Sequence, residues 1–385
     1  MKEGWEYKKL IDVCDFQGGS QPPKSEWINH DSPGYIRMLQ IRDFTQSRKV
    51  SPEYVKLTNR TKCCFSDDIL IGRYGASLGK ILTGIAGAYN VAIMRTIPNE
   101  TLLSKGYLKY YLMSSIFQSF LLNIGGRAAQ AGFNKEDLKC LNIPITTLDQ
   151  QRRIVSYLDS SFKLIDEIKN KALKSLTEAK ALFQSALDEA MEPKVGWEYK
   201  KIYEVGQVVG GTTPSTNNPN YWNGDLCWIS PAELTGNHYL YDSRKKITQE
   251  AVNSKSLKLL PVGTVILSSR APIGKVTINK VPTYCNQGFK CVICKDSLYN
   301  EYLYWWFYGH TKFLNSLGTG ATFAEISKKV VENIIITIPS IDEQSQIVSH
   351  LDSLSSKVRA IEEKYQRIVA ECDAMKQAML REVFE

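Results

Sequence analysis

Few residues in this chain could do chemistry. Its four histidines, His30, His238, His310 and His350, lie too far apart in sequence to form a local metal or triad motif, and no H-E-x-x-H occurs. Cys291 and Cys294 make a C-x-x-C, but the surrounding "FKCVICK" reads as a buried strand and has no second ligand pair at zinc spacing. Two Gly-Lys pairs, Gly79-Lys80 and Gly274-Lys275, invite a phosphate-loop reading. That motif needs Gly five positions before its second Gly and Ser or Thr after the Lys; Tyr74 and Ser269 hold the first slot, Ile81 and Val276 the last. No Gly-rich loop closes a strand ahead of an acidic partner, as a dinucleotide or adenosyl cofactor would require. The reading is therefore of a chain with no active site, no metal and no cofactor of its own.

What remains is suited to reading a polyanion. Lys and Arg serve phosphates, while amide, hydroxyl and guanidinium groups serve base edges. Three pairs of loops offer them. "RMLQIRDF" presents Arg37, Gln40 and Arg42, and "WISPAELT" presents Ser230 and Glu233. A second pair carries Arg73, Tyr74, Ser77 and Lys80 against Ser268, Ser269, Arg270 and Lys275, the shared Lys reading as a phosphate contact. A third, "GGRAAQAGFNKEDL" and "GTGATFAEISKKV", sets Arg127, Gln130 and Asn134 against Thr319, Thr322 and Glu325, after glycines whose amides could approach a phosphate. The formal charge of +8 is compatible with this reading and decides nothing alone.

The loops come in pairs because the chain is written twice. "GWEYKK" stands at 4–9 and again at 196–201, and the two copies stay in step at an offset near 192–196. "DDILIGRYGASLGK" parallels "VGTVILSSRAPIGK", and "DQQRRIVSYLD" at 149–159 matches "DEQSQIVSHLD" at 342–352 in seven of eleven positions. In each copy a Gly- and Pro-punctuated stretch of short strands, with one apolar helix ("YLKYYLMSSIFQSFLLNI", "YLYWWFYGHTKFLNSL"), gives way after Pro144 or Pro339 to about forty residues with neither Gly nor Pro. This predicts α+β globular domains at 1–147 and 193–340, each followed by a helical spacer, at 148–192 and 341–385.

The spacers carry heptad seams. The second runs through Ile347, Leu351, Leu354, Val358, Ile361, Tyr365, Ile368, Cys372, Met375 and Met379. The first holds the same phase through Ile154, Leu158, Ile165, Ile168, Ala172, Ala179, Leu182 and Ala186, interrupted by Ser161 and Ser175 and widened by Phe162, Leu176 and Phe183. Such a helix either pads its own domain or seeks a partner; two seams in phase most simply pair with each other. Antiparallel pairing as a coiled coil would put the globular domains at opposite ends of a pseudo-twofold dumbbell. Nine cysteines, two of them adjacent at Cys63 and Cys64, with no apolar leader and no apolar run near ~20 residues, predict a cytoplasmic chain outside the membrane.

Two unlike globular domains, each opened by "GWEYKK" and each closed by "DQQRRIVSYLD" or "DEQSQIVSHLD" leading into a long helix, resemble the specificity subunit of type I restriction-modification systems. The family's P-x-x-x-x-Q-x-x-I-x-x-x-L-D segment is met, with small changes in spacing, by Pro144 to Asp159 and by Pro339 to Asp352. The resemblance implies two target-recognition domains gripping the half-sites of a bipartite, asymmetric double-stranded DNA target, with the paired helices as a ruler between them. It also implies two methyltransferase subunits and restriction subunits as partners. S-adenosylmethionine, ATP and Mg would be held by those partners only. The rival readings are a stand-alone enzyme, which would need one of the motifs sought above, and an adaptor whose domains bind proteins and show no salt-dependent DNA affinity.

Overall fold

A computed structural model of the chain describes residues 4–46, 50–125, 132–270, 272–319 and 324–385. It divides into two compact units, Met1–Leu173 with Gln366–Glu385, and Lys174–Tyr365. The described part of the first unit contains β1 (Glu6–Lys9), β2 (Cys14–Gly18), β3 (Tyr35–Leu39), β4 (Tyr54–Lys56), β5 (Cys63–Cys64), β6 (Leu70–Gly72), β7 (Ile81–Leu82), β8 (Gly87–Tyr89), β9 (Ile93–Pro98) and β10 (Asn142–Ile145). They form two four-stranded sheets, in the orders β2-β9-β6-β7 and β4-β3-β8-β5, and a β1-β10 pair.

The second unit repeats the plan with β11 (Glu198–Lys201), β12 (Gly206–Gly210), β13 (Trp222–Ile229), β14 (Tyr239–Leu240), β15 (Lys245–Ile247), β16 (Val265–Ser268), β17 (Val276–Asn279), β18 (Thr283–Cys285), β19 (Phe289–Cys294) and β20 (Ile335–Ile338). Its sheets run β12-β19-β16-β17-β14 and β15-β13-β18, with a β11-β20 pair. The repeated "EYKK" is β1 in one copy and β11 in the other, and each pairs antiparallel with the last strand of its domain. The mixed helix and sheet content is the α+β architecture expected from the duplication.

Where the sequence reads as one apolar helix per copy, the structure has two. Lys105–Met113 is followed by Ser115–Gly125, and Asn300–Gly309 by Thr311–Ser316. The breaks have local causes. Ser114 turns extended, with its hydroxyl donating to the Tyr111 carbonyl at 2.6 Å, and the His310 ring lies 2.8 Å from the Trp306 carbonyl, so side chains compete for the helical acceptors.

The aromatic helices are sewn in the same way in both units to the last strand of their own domain. Tyr107 donates to the Pro144 carbonyl at 2.9 Å, and Tyr302 to the Thr337 carbonyl at 2.8 Å. From Pro144 and Pro339 the chain enters two long helices, Leu148–Met191 and Ile341–Phe384. Fully buried Gln151 donates to the Leu102 and Thr146 carbonyls and accepts from the Ser104 amide. Gln344 does the same with Ser297, Pro339 and the Tyr299 amide. Asp159 accepts from the Tyr110 hydroxyl at 2.5 Å, and Asp352 from the Trp305 indole at 3.0 Å.

Within the first unit, the opening turns of the first long helix pair with the closing turns of the second. Lys376 binds Asp166 at 2.5 Å and Lys169 binds Asp373 at 2.6 Å, an antiparallel arrangement, and Leu158, Phe162, Leu380 and Phe384 share one core. Phe384 sits 5.1 Å from the Tyr107 ring and 5.7 Å from that of Tyr111. In the second unit, Lys180 binds Glu362 at 3.3 Å, and Leu187 and Met191 enter the core with Ile347, Val348 and Leu351.

The seam departs from the expected phase at alternate positions. Leu158, Ile165, Ala172 and Leu351 are buried, and Leu354, Val358 and Ile368 half-buried. Ile168 and Leu182, however, are 45% and 71% exposed, and Ile361 and Met375 are 38% and 55% exposed. Their places facing inward go to the next residues along, Lys169, Phe183, Glu362 and Lys376. An α-helix advances 3.6 residues per turn, so a strict seven-residue pattern drifts, and here the long side chains one step on fill the seam. Among the described residues no helix is long and apolar enough to cross a membrane.

Truncating Phe384 should leave a cavity in the first unit costing about 3–5 kcal/mol, and truncating Leu187 one of about 2–5 kcal/mol in the second. In hydrogen exchange, Phe384→Ala is expected to speed exchange through Tyr107–Leu112 and leave Tyr302–Phe307 protected. Leu187→Ala should speed exchange through Tyr302–Phe307 and, because the first unit draws on a segment that follows the second in the chain, through Tyr107–Leu112 as well; identical patterns from the two variants would contradict the split.

Candidate nucleic-acid interface

In both units the ends of the same strands are tied together by backbone hydrogen bonds. In the first, the Gly19 amide donates to Ile93, Ser20 to Tyr89, Asn90 to Leu39 and Arg73 to Ala92. In the second, Thr212 donates to Cys285, Asn286 to Ile229 and Ser269 to Gly288. The approach is close enough to demand glycine: a Cβ on Gly19 or Gly211 would stand 2.1 or 2.0 Å from the Asn90 or Asn286 carbonyl oxygen. Loops one and two therefore leave one end of each domain together. Gly79 and Gly274, at φ +76° and +93°, close the second loop with amides donating to Gly72 and Ser268, so the Gly-Lys pairs are turn glycines followed by an exposed Lys.

Loop one opens with the same turn in both copies. Gln40 and Ser230, at φ −124°, ψ 162° and φ −122°, ψ 162°, each open a short helix, with their amides donating to the carboxylates of Asp43 and Glu233. The side chains differ. Arg37 reaches buried Asp43 at 2.7 Å. Glu53, eleven residues past Arg42, takes three donors: Lys24 at 2.5 Å on one oxygen, Gln40 at 3.0 Å and Arg42 at 2.5 Å on the other. The Lys24 hydrogen bond is the largest cause holding the Glu53 carboxyl below its ordinary value. With one amide hydrogen given to Glu53, Gln40 keeps a second N–H.

Loops two and three meet in both copies. Tyr74 bridges Gly132, and Arg270 bridges Glu325. Arg73 donates to the Phe133 and Val91 carbonyls at 3.2 and 3.3 Å, with its guanidinium 4.9 Å from the Tyr74 ring. In the second unit Arg270 binds Glu325 at 2.9 Å, and Thr319 and Glu325 exchange backbone hydrogen bonds. Lys290, only 7% exposed, donates to the Ser269 hydroxyl and the Glu325 carboxylate. Burial works to raise the Glu325 carboxyl, and hydrogen bonds from Arg270 and Lys290 outweigh it, leaving the group below its usual range. Lys275 spans loops one and two through the Leu234 carbonyl at 3.0 Å, while Lys80 stands exposed on the matching turn.

Asn134 is otherwise engaged. Its side chain accepts from the Glu136 and Asp137 amides, and its own amide donates to Asp137, a cap on the short helix Glu136–Cys140. Arg127, Gln130 and Thr322 lie outside the described residues. The sequence reading missed Glu53, Lys24, Asp43 and Lys290, since partners up to 29 residues apart or across a sheet leave no local spacing to read. Cys291 and Cys294, three apart on β19, fall on opposite faces and pack into different cores, and burial pushes the Cys294 thiol up to about 12. Among the described residues no group of three or more His, Cys, Asp or Glu could hold a metal ion.

A family model described as the type I restriction modification DNA specificity domain matches this chain twice, over residues 2–178 and 194–370. The chain belongs to that family. Its relatives include the type I restriction enzyme MjaIX specificity subunit of Methanocaldococcus jannaschii, 41% identical over 182 residues, which are 46% of this chain and 42% of that one. The EcoR124I/EcoR124II specificity subunit of Escherichia coli is 30% identical over 275 residues, 69% of this chain and 66% of that one. The alignments thus span less than two thirds of either relative. A chain from a solved structure concerned with complex assembly and conformational transition of the type I R-M system aligns over 99% of this chain and 97% of its own. At 21% identity and a TM-score of 0.80, it has the same fold. The two specificity domains are the two copies seen in the sequence, and the loops described above carry different polar side chains in the two.

The Glu53 cluster makes a pH-dependent contribution with a definite sign. Because the carboxyl is held below its ordinary 4.5, the cluster's stabilisation is present above that pH and lost as pH falls through the lowered value. An NMR titration of the Glu53 carboxyl should give a midpoint below 4.5 that moves up in Lys24→Met; an unmoved midpoint would remove Lys24 as the cause.

Proposed function

We propose that this chain is the sequence-specific DNA-binding subunit of a type I restriction-modification complex, reading a bipartite, asymmetric double-stranded target and catalysing nothing itself. One observation carries this: the two specificity domains open loop one with the same capped turn but fill it with unlike polar groups, Gln40 and Arg42 in one and Ser230 in the other, with Arg270 beside it on loop two. Like scaffolds with unlike readers suit unlike half-sites. Lys80 and Lys275 serve phosphates. Arg37 and Arg73, bound to Asp43 and to carbonyls, brace the loops.

The partners are two methyltransferase subunits and the restriction subunits, brought to the target by this chain in the cytoplasm. S-adenosylmethionine, ATP and Mg are held by those partners and not here. The length of helix between the domains sets the gap between half-sites.

Co-expression with the methyltransferase subunit of the same locus, followed by single-molecule sequencing of methylated adenines, should yield a split, asymmetric motif that disappears when this chain is deleted. A motif indifferent to the deletion would refute the reading. In the same assay Arg42→Ala should relax one half-site and Arg270→Ala the other, each by about 1–3 kcal/mol of discrimination. Uniform weakening over all sequences would instead assign both arginines to the phosphate backbone.

A further inference from the structure

The charges along the long helices have a pattern that the apolar seam does not need. The second helix repeats the first at a fixed offset, Leu158 matching Leu351, Leu187 matching Leu380 and Met191 matching Phe384. By that offset Lys169 matches Glu362, and Lys180 matches Asp373. The pair Lys169–Asp373 in the first unit and the pair Lys180–Glu362 in the second are therefore the same crossing point, seen once from each copy. Both times the first helix gives the Lys and the second gives the acid.

We infer that these ion pairs are a pairing code, by which each half of the chain accepts the other half and rejects a second copy of itself. In the observed register, two first helices would set Lys169 against Lys180, twice. Two second helices would set Glu362 against Asp373, twice. The third pair adds to this: Asp166 meets Lys376, but the position in the second helix that matches Asp166 is Arg359, so self-pairing would also oppose Arg359 and Lys376. Exposed ion pairs contribute little one at a time. Exchanging two mixed pairs for one of each self-pair, however, turns four attractions into four repulsions at the Lys169–Asp373 and Lys180–Glu362 crossings alone, and like charges held opposite each other discriminate more than any single attraction stabilises. The need for such a code follows from the duplication, since the apolar residues at Leu158, Leu187, Leu351 and Leu380 are nearly the same from either helix and cannot tell self from other.

The double substitution Lys180→Glu with Glu362→Lys isolates the code. It keeps both intrachain crossings attractive, yet makes first-helix self-pairing attractive at both crossings through Lys169 and Glu at 180. A protease site placed beside Val195, which is fully exposed, allows the folded intact chain to be cut between its halves. The two fragments are then unfolded in urea, refolded together and counted by native mass spectrometry. Wild type should return the mixed pair in at least tenfold excess over the self-pairs. In the double variant the pair of N-terminal fragments should rise at least tenfold, and the pair of C-terminal fragments should lag, because Arg359 and Lys376 still clash. A statistical mixture from wild type, or a variant distribution matching wild type, overturns the inference. In the intact chain, Lys169→Glu with Lys180→Glu should lower the melting temperature and adding Asp373→Lys with Glu362→Lys should restore it. Absence of that rescue would show that the crossings carry no interaction and would equally overturn the code.

Discussion

The interaction on which the rest depends is the buried amide at the entry to each long helix. Gln151 and Gln344 have no exposed surface, and each satisfies two backbone carbonyls and one backbone amide from the segments around it. A buried amide left unpaired would cost about 1–3 kcal/mol, so these contacts are effectively obligatory. They fix the direction in which the helix leaves its domain, and Asp159 and Asp352, two turns on, fix its rotation by accepting from Tyr110 and Trp305. A stretch that reads in sequence as a family signature is thus a mechanical joint. It holds a domain whose loops vary to a helix whose register does not.

In the loops of each domain, constraint and freedom are separated. The backbone of these loops is held by glycines that admit no side chain, by strand-end hydrogen bonds and by carboxylates that cap the loop-one turns. None of these requires a particular residue at Gln40 or Ser230. The carboxylates of Glu53 and Glu325 are each neutralised by two basic side chains and restrict where those bases can point. Restricting a long Lys or Arg before it meets its ligand lowers the ordering cost of binding.

How much of this was legible in the sequence depends on the range of the interaction. The duplication, the short strands and the two long helices were legible, because repeats, Gly-Pro punctuation and heptads are local patterns. So were the polar loops as segments, since polar side chains following a strand mark its end. The break at Ser114 was not, because its cause is one hydroxyl turning back on the preceding turn inside an apolar run. The inward turn of Lys169, Glu362 and Lys376 was not, because a seven-residue template assumes 3.5 residues per turn and gives charged residues to solvent. Glu53 and Lys290 were invisible because what they do is set by strands β4 and β19 lying beside loops far off in sequence.

That the first unit borrows Gln366–Glu385 from the far end of the chain sets an energetic condition on its folding. Burying Leu380 and Phe384 in full supplies about 3–6 kcal/mol at the usual value for large apolar side chains. Closing a loop the length of the second unit out of flexible chain costs about 5 kcal/mol. The two nearly cancel, so those side chains alone would hold the returning turns only weakly if the intervening residues were unfolded. The second unit is one uninterrupted stretch, and once folded it removes most of that loop entropy by making the span between the two helical segments rigid. The stability of the first specificity domain therefore rests on the second having folded, while the second uses no segment from outside its own stretch, and an asymmetry in chain order becomes an asymmetry in dependence between two domains of one plan.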